Sequence, residues 1–227
     1  MVLEYVEFLR QKKIVLASAS PRRLEILKMI GLGNVQVSPS DFAEDLKKAS
    51  FACGGDYALH TALHKANQVV RQLLAQAEGT GEQTFDILIA ADTVAVLPDE
   101  SGSIEIIEKP KTSEEAAAML RRFAGRRHEV WTGVAIAVNC DGCVHWRELS
   151  VRTAVEFRTL SDAEINAYVN NSLNWRGKTG GYGVQDTAAC FLSAIDGDYY
   201  NVMGLPLNSL CVALDELIVG GTISGVR

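Results

Sequence analysis

Ile14-Val15-Leu16-Ala17-Ser18-Ala19-Ser20-Pro21-Arg22-Arg23 is the stretch from which the fold of this 227-residue chain is read. Its four leading apolar residues have the length of a buried strand. Ser20 suits a helix N-cap, Pro21 the first helical position, where the missing N–H costs nothing, and Gly31 a stop. Leu24, Leu27 and Ile30 mark one apolar face between them. Strand, tight turn and helix in immediate succession predict an α/β layer architecture.

The same alternation continues. Over residues 57–77, Leu59, Ala62, Leu63, Ala66, Val69, Val70, Leu73 and Ala77 recur at helical spacing, which predicts one long amphipathic helix. Lys65 projects about 110° from the centre of that stripe, where its stem can rest on the core and its ammonium rise over the rim into a cleft. A polar loop over 79–84 precedes a nearly continuous apolar strand, 87–91 and 94–97, interrupted at Asp92-Thr93. A turn over 98–103 and a second strand over 104–108 follow, stopped by Lys109-Pro110. Thr112-Ser113-Glu114-Glu115 has capping-box spacing and opens a helix to Phe123. Residues 130–138 are strand-like, Cys140-Asp141-Gly142-Cys143 carries an Asp-Gly hairpin signal, and Val151, Thr153, Val155 and Phe157 alternate with polar neighbours. Ser161-Asp162-Ala163-Glu164 caps a helix through Val169, residues 174–183 are glycine-rich, residues 184–192 regain strand character, and Leu205-Pro206 opens a last helix. With no internal repeat or linker, the expectation is one α/β domain over residues 1–227. It would be a mixed twisted sheet flanked by helices, with two lobes around a central cleft.

Composition narrows the function. At 48% hydrophobic and 22% charged residues the chain is neither disordered nor a membrane protein. No stretch reaches the roughly 18 uncharged apolar residues of a membrane span. The net charge of −6, from 22 Lys+Arg against 28 Asp+Glu, has the wrong sign for a nucleic-acid partner but leaves room for a small anion in a local basic pocket. Five cysteines, an odd number, and an opening MVLEYVEFLRQKK without a continuous apolar run predict a reduced cytoplasmic protein.

Several residues are candidates for chemistry. Ser18 to Arg23 sets two hydroxyls, two guanidinium groups and unpaired backbone N–H groups at a helix N-terminus, which favours anions. Arginine otherwise avoids that end, so Arg22 and Arg23 ask for an anionic partner. Asp92 lies inside an apolar strand, where a carboxylate is costly unless paired or metal-bound; a structural ion pair is the alternative. Glu44 is a weaker second carboxylate, and Lys109 projects from a strand end. Gly177-Lys178-Thr179 lacks the spacing of a phosphate loop. Cys140-x-x-Cys143, with no second ligand pair, and His60 with His64, with no intervening acid, are expected to be structural. Arg121, Arg122, Arg126 and Arg127 suit a helix C-terminus without any ligand.

Together, Ser18-Ala19-Ser20-Pro21-Arg22-Arg23, Ala91-Asp92-Thr93, Glu108-Lys109-Pro110, the Leu120 to Gly133 stretch with Gly125-Arg126-x-His128-x-Val130-x-Thr132-Gly133, Gly180-Gly181-Tyr182-Gly183-Val184-Gln185 and Gly204-Leu205-Pro206 resemble the Maf family of nucleoside triphosphate pyrophosphatases, over about residues 14–217. Gly177, where the family often has an acid, and Asp186, where it often has a glycine, depart from the pattern. The resemblance implies a Maf/ITPase-like fold and a hydrolase that splits nucleoside triphosphates to the monophosphate and pyrophosphate with Mg²⁺ or Mn²⁺. It implies Asp92 as proton acceptor and, with Glu44, metal ligand. Ser18, Ser20, Arg22, Arg23, Lys65, Thr93, Lys109, Lys178 and Gln185 are the substrate-side residues it implies, with Arg22, Thr93 and Gln185 linked to substrate choice. The Tyr-Gly-Val-Gln stretch resembles the branch acting on dTTP, UTP and modified pyrimidine triphosphates, which would clear modified nucleotides. A 7-methyl-GTP-type enzyme and a non-catalytic nucleotide-binding regulator of cell division are the alternatives. A homodimer is implied, with neither nucleic acid nor membrane as partner.

Overall fold

The computed structural model describes residues 1–98, 104–140 and 142–225. After a 3₁₀ turn at Val2–Tyr5 come α1 (Val6–Arg10), β1 (Ile14–Leu16), α2 (Pro21–Met29), β2 (Gln36–Val37), α3 (Gly54–Thr80), β3 (Ile87–Pro98), β4 (Ile104–Ile107) and α4 (Ser113–Phe123). β5 (Arg127–Cys140), β6 (Cys143–Phe157), α5 (Asp162–Val169), α6 (Ser172–Trp175), β7 (Leu192–Asp196), α7 (Tyr199–Met203) and α8 (Leu207–Val219) complete the chain. The seven strands form one mixed sheet in the order β2-β1-β3-β5-β6-β7, with β4 paired to the far half of β3. β1 runs parallel to β2 and β3, and every other pairing is antiparallel. The expected mixed α/β architecture is therefore the one that forms.

Alternation along β3 decides where everything else packs. Successive side chains of a strand face opposite ways. Leu88, Ala90, Val94 and Val96 fall on the face covered by α3, against Ala62, Ala66, Val69 and Tyr57. Ile87, Ile89 and Ala91 share the opposite face with α2 and α8, through Leu27, Leu210 and Leu214. Ala95 and Leu97, on that same face, belong to a second cluster built with Leu120 and Phe123 of α4 and Ile165 of α5. Thr93 stands at the gap between these two clusters, beside its register partner Thr132.

Asp92-Thr93 lie inside β3 as expected, pairing with Gly133 and Thr132 in a ladder that uses only backbone groups. Several expectations are corrected. Residues 184–192 are not a strand: Asp186 N donates to Gly183 O and Ala189 N to Asp186 O, winding a 3₁₀ turn over Thr187–Phe191 before β7 begins at Leu192. α7 has no counterpart among the expected elements, although Asp198 caps it through Tyr200 N at 2.8 Å and Gly204, at φ 116°, ends it. The capping box of α5 closes as expected. That of α4 does not: Thr112 accepts from Glu115 N, but the Glu115 carboxylate takes Lys111 N. Ser20 holds the N-cap position of α2 without a side-chain capping bond. Residues 99–103 of the expected turn and Asp141 of the hairpin lie outside the described residues, while Cys140 and Cys143 face each other in register. No helix among the described residues is long and apolar enough to cross a membrane.

The tightest contact between helix and sheet is at Gly133, where a Cβ would run into the backbone of Leu59 in α3. Gly133→Ala is expected to lower unfolding stability by about 2–3 kcal/mol in urea titrations, since backbone cannot swing aside as a side chain can. Unchanged stability would mean that α3 rides further from the sheet than this.

Candidate active site

A cavity of about 430 Å³ opens over the β1–α2 turn, flanked by the loop after α6 and the turn after α7, and lies within the size range of small-molecule sites. Six cationic residues line it, Arg22, Arg23, Lys65, Lys109, Arg176 and Lys178, against one carboxylate, Glu44. Ser18, Ser20 and Thr93 add hydroxyls. A chain with net charge −6 thus places six of its 22 cationic residues around one concavity.

Arg23 is immobilised in the gap between the two apolar clusters. Its Nε donates to Gly204 O at 2.8 Å, Nη1 to Ser18 Oγ at 2.8 Å and Nη2 to Thr93 Oγ1 at 3.2 Å. Thr93 and Thr132 hydroxyls lie 3.0 Å apart, and Thr132 Oγ1 donates to Asn201 O at 3.1 Å. Thr93 Oγ1 accepts from Arg23, and its own proton has Thr132 Oγ1 at 3.0 Å and Gly204 O at 3.4 Å within reach. The fully buried Asn201 reaches Val130 O and Thr153 Oγ1, both at 3.1 Å. A polar line therefore runs from β6 across β5 and β3 to the β1–α2 turn.

On the other face of β3, Asp92 is buried against α3. Lys65 Nζ lies 2.6 Å from Asp92 Oδ1 and 2.6 Å from Glu44 Oε1, and Lys109 Nζ is 3.6 Å from Glu44 Oε2. The expectation that Lys65 lifts its ammonium over a rim is corrected: the side chain is only 8% exposed and is drawn between two carboxylates. Burial pushes the Asp92 carboxyl above its ordinary value despite Lys65 and Arg23. For the more open Glu44 burial acts the same way, but Lys65, Lys109 and Arg23 outweigh it and hold the carboxyl below the usual range. Glu44 sits at φ 48°, in the left-handed region that a non-glycine residue enters only when its surroundings hold it there. They do: the Phe42 ring stacks on His64 at 4.9 Å, and Ser40 Oγ bonds Gln68 Oε1, so the loop is strapped along α3 beside Lys65.

The loop after α6 brings Lys178 to the cavity. Its Nζ contacts Asp186 Oδ2 at 2.5 Å, and Arg22 Nη2 reaches the same oxygen at 3.0 Å. Gln185 is exposed and does not line the cavity, so this conformation does not bring it to the other site residues. Asp92 stands behind Lys65 instead of on the wall. His64 stacks on Phe42 and His60 packs tilted against Phe51, and among the described residues no three metal-ligating side chains of the His, Cys, Asp and Glu types cluster. Arg121, Arg122 and Arg127 pair with Asp162, Glu105 and Asp196, away from the cavity.

A family model described as "Maf-like protein" matches residues 13–217. The chain belongs to the Maf family. Among curated Maf relatives it is 39% identical to a dTTP/UTP pyrophosphatase of Pyrococcus furiosus, over 86% of this chain and 90% of that protein. It is 32% identical to a dTTP/UTP pyrophosphatase of Schizosaccharomyces pombe, over 94% of this chain and 87% of that protein. A human protein named probable bifunctional dTTP/UTP pyrophosphatase/methyltransferase is 40% identical over 92% of this chain, which spans about a third of that protein's length, 32%.

Sequence reasoning missed Arg176, which follows the glycine-rich loop's helix without a local signal, and Asn201, whose importance lies only in its non-local partners. It also left unused His128 and Tyr182, present in the motifs that carry the Maf resemblance. His128 is fully buried, stacked on Phe123 at 4.1 Å, with Nε2 2.8 Å from Tyr182 Oη and Nδ1 without a partner. Tyr182 forms part of the cavity wall. Burial pushes His128 down to about 3. Between that value and the ordinary one near 6.5 the unfolded chain binds a proton that the folded chain refuses. Its contribution to stability is therefore complete above pH 6.5 and drains away as pH falls toward 3. From pH 7 to pH 4 wild type should lose about 3 kcal/mol more in urea titrations than His128→Gln. Parallel acid slopes would show that His128 charges in the folded state.

Proposed function

We propose that this chain is a nucleoside triphosphate pyrophosphatase that converts dTTP and UTP to the monophosphate and pyrophosphate, with Mg²⁺ or Mn²⁺, as a cytoplasmic homodimer. The observation that carries the reading is a cavity lined by six cationic residues in an acidic chain, with three carboxylates, Glu44, Asp92 and Asp186, paired to four of them. Such a concentration suits a ligand with several negative charges, and the names of the Pyrococcus furiosus and Schizosaccharomyces pombe relatives supply the nucleotide and the products.

Attack of water at the α-phosphorus needs the triphosphate's charge balanced and the nucleophile's proton accepted. Arg23 is suited to the first task because its orientation is already set by Gly204 O, Ser18 and Thr93, so no reorganisation is spent as charge develops. Arg22, Lys109 and Lys178 add cations at the rim and wall, and the first turn of α2, uncapped by any side chain, offers Ser18, Ser20 and backbone N–H groups. Asp92 is the proton acceptor of this proposal: a carboxyl raised by burial is a stronger base than one in water. Lys65 keeps it ionised and aligned.

The donor set fits a divalent cation. Glu44 and Asp92 meet around Lys65 Nζ, 2.6 Å from an oxygen of each, and would hold the metal through the oxygens that the ammonium leaves free; few carboxylates plus phosphate oxygens is how Mg²⁺ is usually held. When bound there, the metal would neutralise phosphate charge and polarise a phosphoryl oxygen.

The test separates products and bases. With dTTP, UTP, GTP and 7-methyl-GTP, pyrophosphate and orthophosphate are quantified separately with and without Mg²⁺. Metal-dependent pyrophosphate from dTTP and UTP is expected, and Asp92→Asn should reduce it by on the order of 10² or more with the fold intact. Orthophosphate as first product, or a folded Asp92→Asn variant at wild-type rate, would end the proposal.

Base reading by Gln185 comes from the Maf resemblance. In the conformation described here Gln185→Ala is expected to alter the dTTP to GTP ratio of kcat/KM by less than about threefold, because an exposed amide loses no buried partner. A larger, pyrimidine-selective loss would show that residues 183–186 turn inward on the nucleotide.

A further inference from the structure

We infer that the Asp186 carboxylate is an internal competitor for the cavity's cations: it holds Arg22 and Lys178, and an anionic ligand of the phosphate class gains them only by displacing it. The inference rests on the reading of the cavity as a phosphate site. One oxygen, Oδ2, takes both Arg22 Nη2 at 3.0 Å and Lys178 Nζ at 2.5 Å. Two cationic donors meeting at one anionic oxygen is also how a phosphate oxygen would be held between them.

The local backbone is shaped for this contact. Asp186 N donates to Gly183 O at 3.1 Å, which closes a turn over residues 183–186 and folds the carboxylate back across Gly183. A Cβ on Gly183 would collide with Asp186 Oδ2 and stand 3.0 Å from Arg22 Nη2, so the glycine is the space in which the carboxylate lies. Side-chain exposure rises from 8% at Lys178 to 24% at Arg22 and 39% at Asp186. The carboxylate is thus the member nearest water, and rotating it outward leaves both cations lining the cavity, which they do already.

A ligand that must first empty such a contact binds more weakly by the fraction of time the contact is closed. The carboxylate, 39% exposed, regains water as it leaves, so the handicap is about three- to tenfold. Asp186→Asn keeps the shape and removes the charge, and Asp186→Gly removes the side chain as well. Binding of inorganic tripolyphosphate, read by titration calorimetry at fixed ionic strength, should tighten about three- to tenfold in both. In an Arg22→Ala background the gain from Asp186→Asn should shrink, because one of the two released cations is gone. Unchanged or weaker binding in whichever variant retains wild-type thermal unfolding, or no binding in any form, would overturn the inference and make Asp186 a support for Arg22 and Lys178. The readout needs no turnover. Tighter tripolyphosphate binding without dTTP hydrolysis would refute the proposed reaction and leave the competitor standing, and hydrolysis with unchanged binding would do the reverse.

Discussion

Setting a buried Asp92 beside a half-buried Thr93 in an otherwise apolar strand is the constraint on which the rest of the structure turns. Alternation sends the carboxylate into the layer under α3 and the hydroxyl into the layer shared by α2, α4 and α8, so one strand makes polar demands on both faces at once. Each demand is met by a cation from a neighbouring helix, Lys65 from α3 and Arg23 from α2. Those helices are thereby fixed in rotation as well as position, since an apolar stripe tolerates a slip that a 2.6 Å ion pair does not. Satisfying these two polar groups has left two cations beside one opening.

The two faces differ in kind. Around Arg23 the guanidinium donates to three fixed acceptors, Gly204 O, Ser18 Oγ and Thr93 Oγ1, and the hydroxyls of Thr93 and Thr132 continue the line to Asn201. Around Lys65 three charged groups share one small volume, and the sign of each carboxylate's shift follows from how much water it keeps. The first arrangement is rigid and suited to orienting a ligand. The second is easily rebalanced by an added charge, which is what a proton acceptor needs.

Local signals made most of the scaffold readable. The apolar stripe of α3, the Ser161 box of α5 and the β1–α2 turn are each specified by residues within one or two turns of chain, and each forms. Asp92, Arg22, Arg23 and Lys65 stood out because a charge in an apolar run, or an arginine at a helix start, is locally anomalous. What could not be read depends on distant partners. Asn201 matters through Val130 and Thr153, far away in the chain, and the 184–192 stretch looks like a strand until Asp186 is claimed by Arg22 and Lys178.

The bare contact at Gly133 makes α3 a ruler. With no side chain between the Leu59 backbone and β5, the height of the helix above the sheet is set by atoms that have no rotamers. Lys65 leaves the helix six residues later, about 9 Å along its axis, so the ammonium's position is measured off from a fixed zero. A lysine stem can absorb sideways error by changing rotamer, but it cannot lengthen. A spacer of even one methyl at Gly133 would therefore be felt at the far end of that stem as lost reach, and drift at this glycine would read out as altered chemistry well before it read out as an altered fold.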